Sequence, residues 1–149
     1  NEKAAHRILD WVNQAKEQGA RLLTDESRKN NVISPIVLED VPASCTILCE
    51  EIFGPVILIN IFSTFDQAIH FVNDSRFGLQ AGVFTNDQRL VQKAIHELEV
   101  GGVMINEIPT FRADNMPYGG VKHSGLGREG LKYSMQEYSE LRTVVHWRG

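Results

Sequence analysis

Residues 56–62, VILINIF, are apolar almost throughout, the composition expected of a strand covered on both faces of a sheet. Immediately downstream, Thr64 and Gln67 form a capping box, and Phe65, Ala68, Ile69 and Val72 make the apolar stripe of a helix. Gly78 precedes a second predicted strand at residues 81–85. Asn86 or Asp87 can cap a second helix, with Leu90, Val91, Ala94, Ile95 and Leu98 on its inner side. A third strand is predicted over residues 100–105. This β-α-β-α-β alternation predicts parallel strands joined by right-handed crossovers, an α/β layered fold.

Upstream of that block, residues 2–18 predict an amphipathic helix with Ala5, Ile8, Leu9, Val12 and Ala15 on one face and Gly19 as its stop. A short apolar piece, residues 20–23, and a polar patch, residues 25–31, lead to a strand-like stretch at 32–38. Pro35 breaks that stretch and is expected to confine it to a sheet edge. Downstream, residues 107–127 read as a long Pro- and Gly-rich loop, of the kind that carries function. A last helix is expected around residues 128–140, with Leu131, Met135 and Tyr138 on one face. Residues 141–147 then form a strand-like tail that must fray or pair with an existing edge, on this or another subunit.

The chain has 149 residues, 42% hydrophobic and 23% charged, enough for one globular domain with a core. Its net charge of −4 is scattered, which argues against a nucleic-acid or membrane-surface role. No apolar run reaches the roughly 20 residues of a membrane span, and no signal-peptide pattern is present. Two cysteines, Cys45 and Cys49, are too few for a disulfide scaffold, so a reducing, cytoplasmic setting is expected. The chain opens on Asn1 rather than methionine, as a piece of a longer protein would.

Several motifs invite chemistry. Gly125-Leu126-Gly127-Arg128-Glu129-Gly130 is a literal G-x-G-x-x-G, but no buried strand precedes it, so a turn-and-cap role is favoured over a dinucleotide site. In Glu50-Glu51-Ile52-Phe53-Gly54-Pro55, a carboxylate could accept two sugar hydroxyls while the aromatic two residues on faces a flat heterocycle. Spacing alone favours a solvated acidic pair and a core Phe. The anions next to Cys49 oppose a thiolate, and Cys45 has no cationic neighbour in the local sequence, so both read as structural thiols. The five histidines are dispersed without metal-ligand spacing, and no metal site is expected.

Four ordered blocks then carry a resemblance: EEIFGPV at 50–56, DSRFGLQAGVFT at 74–85, ELEVGGVMIN at 97–106 and MPYGGVKHSGLGREG at 116–130. Together they resemble the C-terminal part of the aldehyde dehydrogenase superfamily, and the resemblance covers essentially the whole chain. It implies a three-layer, parallel-sheet fragment: residues 1–140 as the C-terminal half of the catalytic domain and 141–149 as a terminal oligomerisation strand of a homo-oligomer. It also implies oxidation of an aldehyde to an acid with NAD or NADP. Glu51 would hold the nicotinamide-ribose hydroxyls and Phe53 would pack on the nicotinamide, which reverses the preference from spacing. Phe111 and Tyr118 would face the aldehyde, and Glu129 matches an accessory acid sometimes assigned to proton relay.

The family's nucleophilic cysteine, general-base glutamate, oxyanion-holding asparagine and main cofactor-binding domain all lie upstream of these blocks. The 149 residues alone are therefore expected to be inactive. Residues 109–116, PTFRADNM, resemble the branch handling small polar or anionic aldehydes, such as lactaldehyde, glyceraldehyde phosphate and phosphonoacetaldehyde. There Arg112 offers a planar fork for carboxylate or phosphate, against the alternatives of an Arg112–Asp114 pair or a solvated Arg. A non-catalytic oligomerisation or binding module derived from the same fold is the competing expectation. A thiol redox protein using Cys45 and Cys49 is a third.

Overall fold

The computed structural model describes residues 1–149, which divide into two compact units, Asn1–Ser63 and Thr64–Gly149. In the first, helix α1 (Glu2–Glu17) is capped by the Asn1 side chain, which accepts from the Ala4 N–H, and buries Ala5, Ile8, Val12 and Ala15 as their spacing predicts. Strands β1 (Arg21–Leu22), β2 (Arg28–Lys29), β3 (Val32–Ile33) and β4 (Ile36–Glu39) follow, then the one-turn helix α2 (Thr46–Cys49) and strand β5 (Val56–Ile59). β2 and β3 form a hairpin, while β1, β4 and β5 make a sheet in that order. β4 is antiparallel to β1 and parallel to β5, with Ile36 opposite Val56 and Leu38 opposite Leu58.

Pro35 therefore does not push its strand to an edge. It stands just before β4, where its missing N–H costs nothing, and the first ladder donor is the Ile36 N–H, given to the Pro55 carbonyl at 2.9 Å. β4 is the central strand, and Ile36 and Leu38 are fully buried with Val12, Ala15, Val41, Cys45 and Ile47. β5 departs from expectation too: Val56 and Leu58 pack on this core, but Ile57 and Ile59 face outward and are exposed, so only one face is covered.

The second unit begins with Thr64, whose side chain accepts from the Gln67 N–H and caps α3 (Phe65–Asn73). Strands β6 (Phe77–Gly78) and β7 (Gln80–Val83), helix α4 (Gln88–Glu97), strands β8 (Gly102–Ile105) and β9 (Val121–Lys122) and helix α5 (Leu131–Glu137) complete it. Asp87 caps α4, which buries Val91 and Ala94 and leads into β8, parallel to β7 over four register pairs. β9 returns antiparallel to β6.

The two parallel ladders end alike. At the end of β5, the Asn60 amide accepts from the Val41 N–H at 3.0 Å and donates to its carbonyl at 3.2 Å. At the end of β8, the Asn106 amide does the same to Thr85, at 2.8 and 3.1 Å. Each side chain adds one further rung where the backbone turns away.

The C-terminal region differs from expectation. Gly130 has φ 112°, outside the helical region, so α5 starts at Leu131 rather than at Arg128. Leu131 and Met135 on it, and Tyr138 at its C-cap, lie exposed instead of packing. Residues 141–149 carry no strand within this chain: without a ladder partner, their backbone groups are left to water. No helix is long and apolar enough to cross a membrane.

Candidate functional site

In the first unit the segment carrying Glu51 and Phe53 links α2 to β5. Phe53 is not a core residue: its backbone is left-handed, φ 47°, and its side chain is 75% exposed. A bulky residue in that region costs about 1–3 kcal/mol, a strain found where a side chain is presented for use. Ile52, before it, packs on the core, and its carbonyl accepts from Arg7 Nη2 at 2.6 Å. Gly54, after it, lies so close to α1 that a Cβ there would stand 2.5 Å from Ile8 Cδ1. Glu51 is exposed two residues before the ring. An exposed carboxylate and an exposed aromatic face fit a ribose diol and a flat heterocycle in donor and acceptor chemistry.

The two cysteines differ in their surroundings. Cys45, at the N-cap of α2, is buried and donates its thiol to Gln18 Oε1 at 3.4 Å; burial, reinforced by Cys49, pushes its pKa up and away from a thiolate. Cys49 is exposed and donates to the Ala43 carbonyl. No cluster of three or more His, Cys, Asp or Glu side chains is placed to hold a metal ion.

In the second unit, three of the residues singled out from the sequence come together. Tyr118 and Glu129 face each other in an isolated antiparallel bridge. Arg112 donates to Glu129 Oε2 at 3.2 Å and lies over the Tyr118 ring, 4.2 Å from its centre. Its partner is thus neither Asp114 nor water alone. Phe111 is 47% exposed, its N–H donating to the Ile108 carbonyl in a turn. Tyr118 and Glu129 also line a cavity of about 470 Å³, with Ser124, Arg128, Ser134 and Glu137; Arg112 and Phe111 do not.

Two cations that sequence reasoning passed over shape this loop. Arg128 donates to the Gly120 and Gly127 carbonyls at 2.9 and 2.7 Å, drawing the glycine-rich turns together. Lys122, itself left-handed, donates to the Asn73 carbonyl at 2.5 Å and the Ser75 carbonyl at 3.2 Å, where the C-terminal dipole of α3 favours a cation, and pairs with Glu99 at 2.9 Å. Their only sequence signal is a long basic side chain close to paired glycines. Gly130, left-handed at the start of α5, shows that G-x-G-x-x-G here serves turn and cap, in keeping with the reading from the sequence.

Comparison with known proteins, in sequence and in fold, points to one family. The model of the aldehyde dehydrogenase family matches residues 1–144. The chain is 43% identical over 143 residues to a 3-sulfolactaldehyde dehydrogenase of Priestia aryabhattai and 46% identical over 143 residues to a lactaldehyde dehydrogenase of Methanococcus maripaludis, in each case covering 96% of this chain and 30% of the relative. Among solved structures, it superposes with a TM-score of 0.90 and 39% identity on the glyceraldehyde-3-phosphate dehydrogenase GapN from Methanocaldococcus jannaschii, complexed with NADP, covering 97% of this chain and 31% of that one. The chain thus spans about 30% of the length of the curated relatives it matches. On that match, with the fold it carries, the chain belongs to the aldehyde dehydrogenase family.

Proposed function

We propose that this chain is the C-terminal catalytic-domain segment of an NAD(P)-dependent aldehyde dehydrogenase that oxidises a small polar or anionic aldehyde to its carboxylic acid. The carrying observation is the Arg112 fork, stacked on Tyr118 and already holding a carboxylate, that of Glu129. A guanidinium so preorganised suits a substrate carboxylate, phosphate or sulfonate in the same way. Two relatives named for anionic aldehydes, 3-sulfolactaldehyde and glyceraldehyde-3-phosphate, support the charge preference, and the lactaldehyde relative supports the small, polar scale.

In this reading Glu51 accepts hydrogen bonds from the ribose hydroxyls next to the nicotinamide, and Phe53 offers its ring to the nicotinamide face. NAD(P), when bound, supplies the hydride acceptor. Phe111 and Tyr118 flank the aldehyde, Arg112 orients its anionic group, and Glu129 is an accessory acid at the same place. The nucleophile and general base belong to sequence outside these 149 residues, so the chain by itself gives no turnover. The exposed Leu141, Val144, Val145 and Trp147 support the proposal that the tail pairs with a second subunit, and the two free thiols support a reducing, cytoplasmic setting.

The test is the full-length protein carrying this segment, assayed with a phosphorylated or sulfonated aldehyde and a neutral one. Arg112→Ala is expected to raise KM for the anionic substrate by on the order of tenfold or more, the worth of a charged hydrogen bond, and to leave the neutral one nearly unchanged. Equal effects on both would remove the charge preference; absence of aldehyde oxidation would remove the activity.

A further inference from the structure

Phe53 stands exposed in a strained, left-handed conformation between two residues that are each pinned to α1. Before it, Ile52 sends its side chain to the core and its carbonyl to the Arg7 guanidinium, 2.6 Å away and partly buried. After it, Gly54 rests on Ile8, whose Cδ1 and Cγ1 a Cβ would meet at 2.5 and 3.0 Å, so that the Ile8 side chain would have to shift. Arg7 is itself held, its guanidinium 4.6 Å from the centre of the Trp11 ring one turn along the helix. A charge-assisted bond from a guanidinium that is already immobilised fixes the carbonyl at little further entropic cost. Without it the Ile52–Phe53 peptide loses its only side-chain hydrogen bond to α1, and relaxation of the left-handed φ would swing the ring away.

We infer that Arg7 is a positioning residue: by gripping the Ile52 carbonyl it holds Phe53, and with it Glu51, in the orientation that meets the nicotinamide end of the cofactor. This rests on the reading of Glu51 and Phe53 as cofactor contacts. Arg7 itself need not touch the cofactor. Its contribution is preorganisation, which is read in cofactor affinity rather than in aldehyde affinity.

The experiment uses the full-length protein with Arg7→Met, which keeps an apolar stem against Trp11 and removes the fork, alongside Arg7→Lys, Gly54→Ala and Glu51→Gln. Arg7→Met is expected to raise KM for NAD(P) by about tenfold while KM for the aldehyde stays within about twofold, with Arg7→Lys recovering most of the loss. Gly54→Ala disturbs the segment from its other anchor and is expected to give the same pattern, so it carries the test should Arg7→Met not fold. A lowered Tm with unchanged KM for the cofactor in these anchor variants would make the bond merely structural and overturn the inference. If Glu51→Gln also leaves KM for the cofactor unchanged, the reading of the cofactor site fails first. If Glu51→Gln raises it and the anchor variants do not, only the role of Arg7 fails.

Discussion

Tyr118 and Glu129 exchange both backbone hydrogen bonds, from Tyr118 N to Glu129 O at 3.1 Å and from Glu129 N to Tyr118 O at 2.6 Å. The main chain therefore sets their separation, and the Glu129 side chain is left to engage Arg112. Both partners of that ion pair are half-exposed or more, so Glu129→Gln is expected to cost less than about 1 kcal/mol in urea unfolding. In the full-length protein the same change removes a carboxylate that competes for the Arg112 fork, and KM for an anionic aldehyde should fall. A rise would show instead that Glu129 aims Arg112 at the substrate.

Gly101→Ala tests the approach of the Tyr118 loop to the β8 strand. A Cβ at position 101 would collide with the Gly119 carbonyl oxygen and stand 3.0 Å from Gly120 Cα, both backbone atoms that no rotamer can move aside. Overpacking of this kind costs about 1–3 kcal/mol, and the urea midpoint should drop accordingly. Because Gly119 follows Tyr118 directly, aldehyde KM in the full-length protein should worsen as well.

A third prediction concerns acid. The Asp87 carboxyl caps α4 and accepts from the Arg89 side chain and backbone, which holds its pKa below the ordinary 3.8. A carboxyl whose folded value is depressed stabilises the fold above its unfolded value, and that stabilisation is lost as pH falls through the folded one. The urea midpoint of the native chain should therefore exceed that of Asp87→Asn at about pH 6, and the gap should narrow as pH falls below the ordinary 3.8. A gap that is constant with pH would assign the effect to something other than this charge.

Asn106 has φ 56° and spends both ends of its amide on Thr85. Asn106→Ala removes two hydrogen bonds and keeps a Cβ in the left-handed region, whereas Asn106→Gly removes the bonds but tolerates the backbone. Thermal unfolding should place Asn106→Gly above Asn106→Ala by about 1 kcal/mol, the steric cost of that conformation.

Periodicity made α1, α3 and α4 legible, with Thr64 and Asp87 as caps, because amphipathic spacing and capping are local properties of the chain. Pro35 misled because a proline beside a strand and a proline within one look alike until the ladder is known. Phe53 misled for a related reason: composition tells how often an aromatic is buried, and carries no sign of a left-handed φ at one position that leaves the ring exposed. The union of Arg112 with Tyr118 and Glu129 had no local signature, since it joins positions 17 apart through irregular loop. The tail at 141–147 carries a strand-like pattern, but a strand is a relation between two chains of atoms, and within this chain the second is missing.

Lys122 gives the loop an unexpected dependency. Its single ammonium reads the length of α3 directly, since the carbonyls it grips, Asn73 and Ser75, are where that helix runs out. A substitution that frays the last turn of α3 would slacken the mooring of β9, and Tyr118, three residues before it, would drift with the rope. Sequence changes at the end of that helix can in this way move the Tyr118 loop without any altered residue touching it.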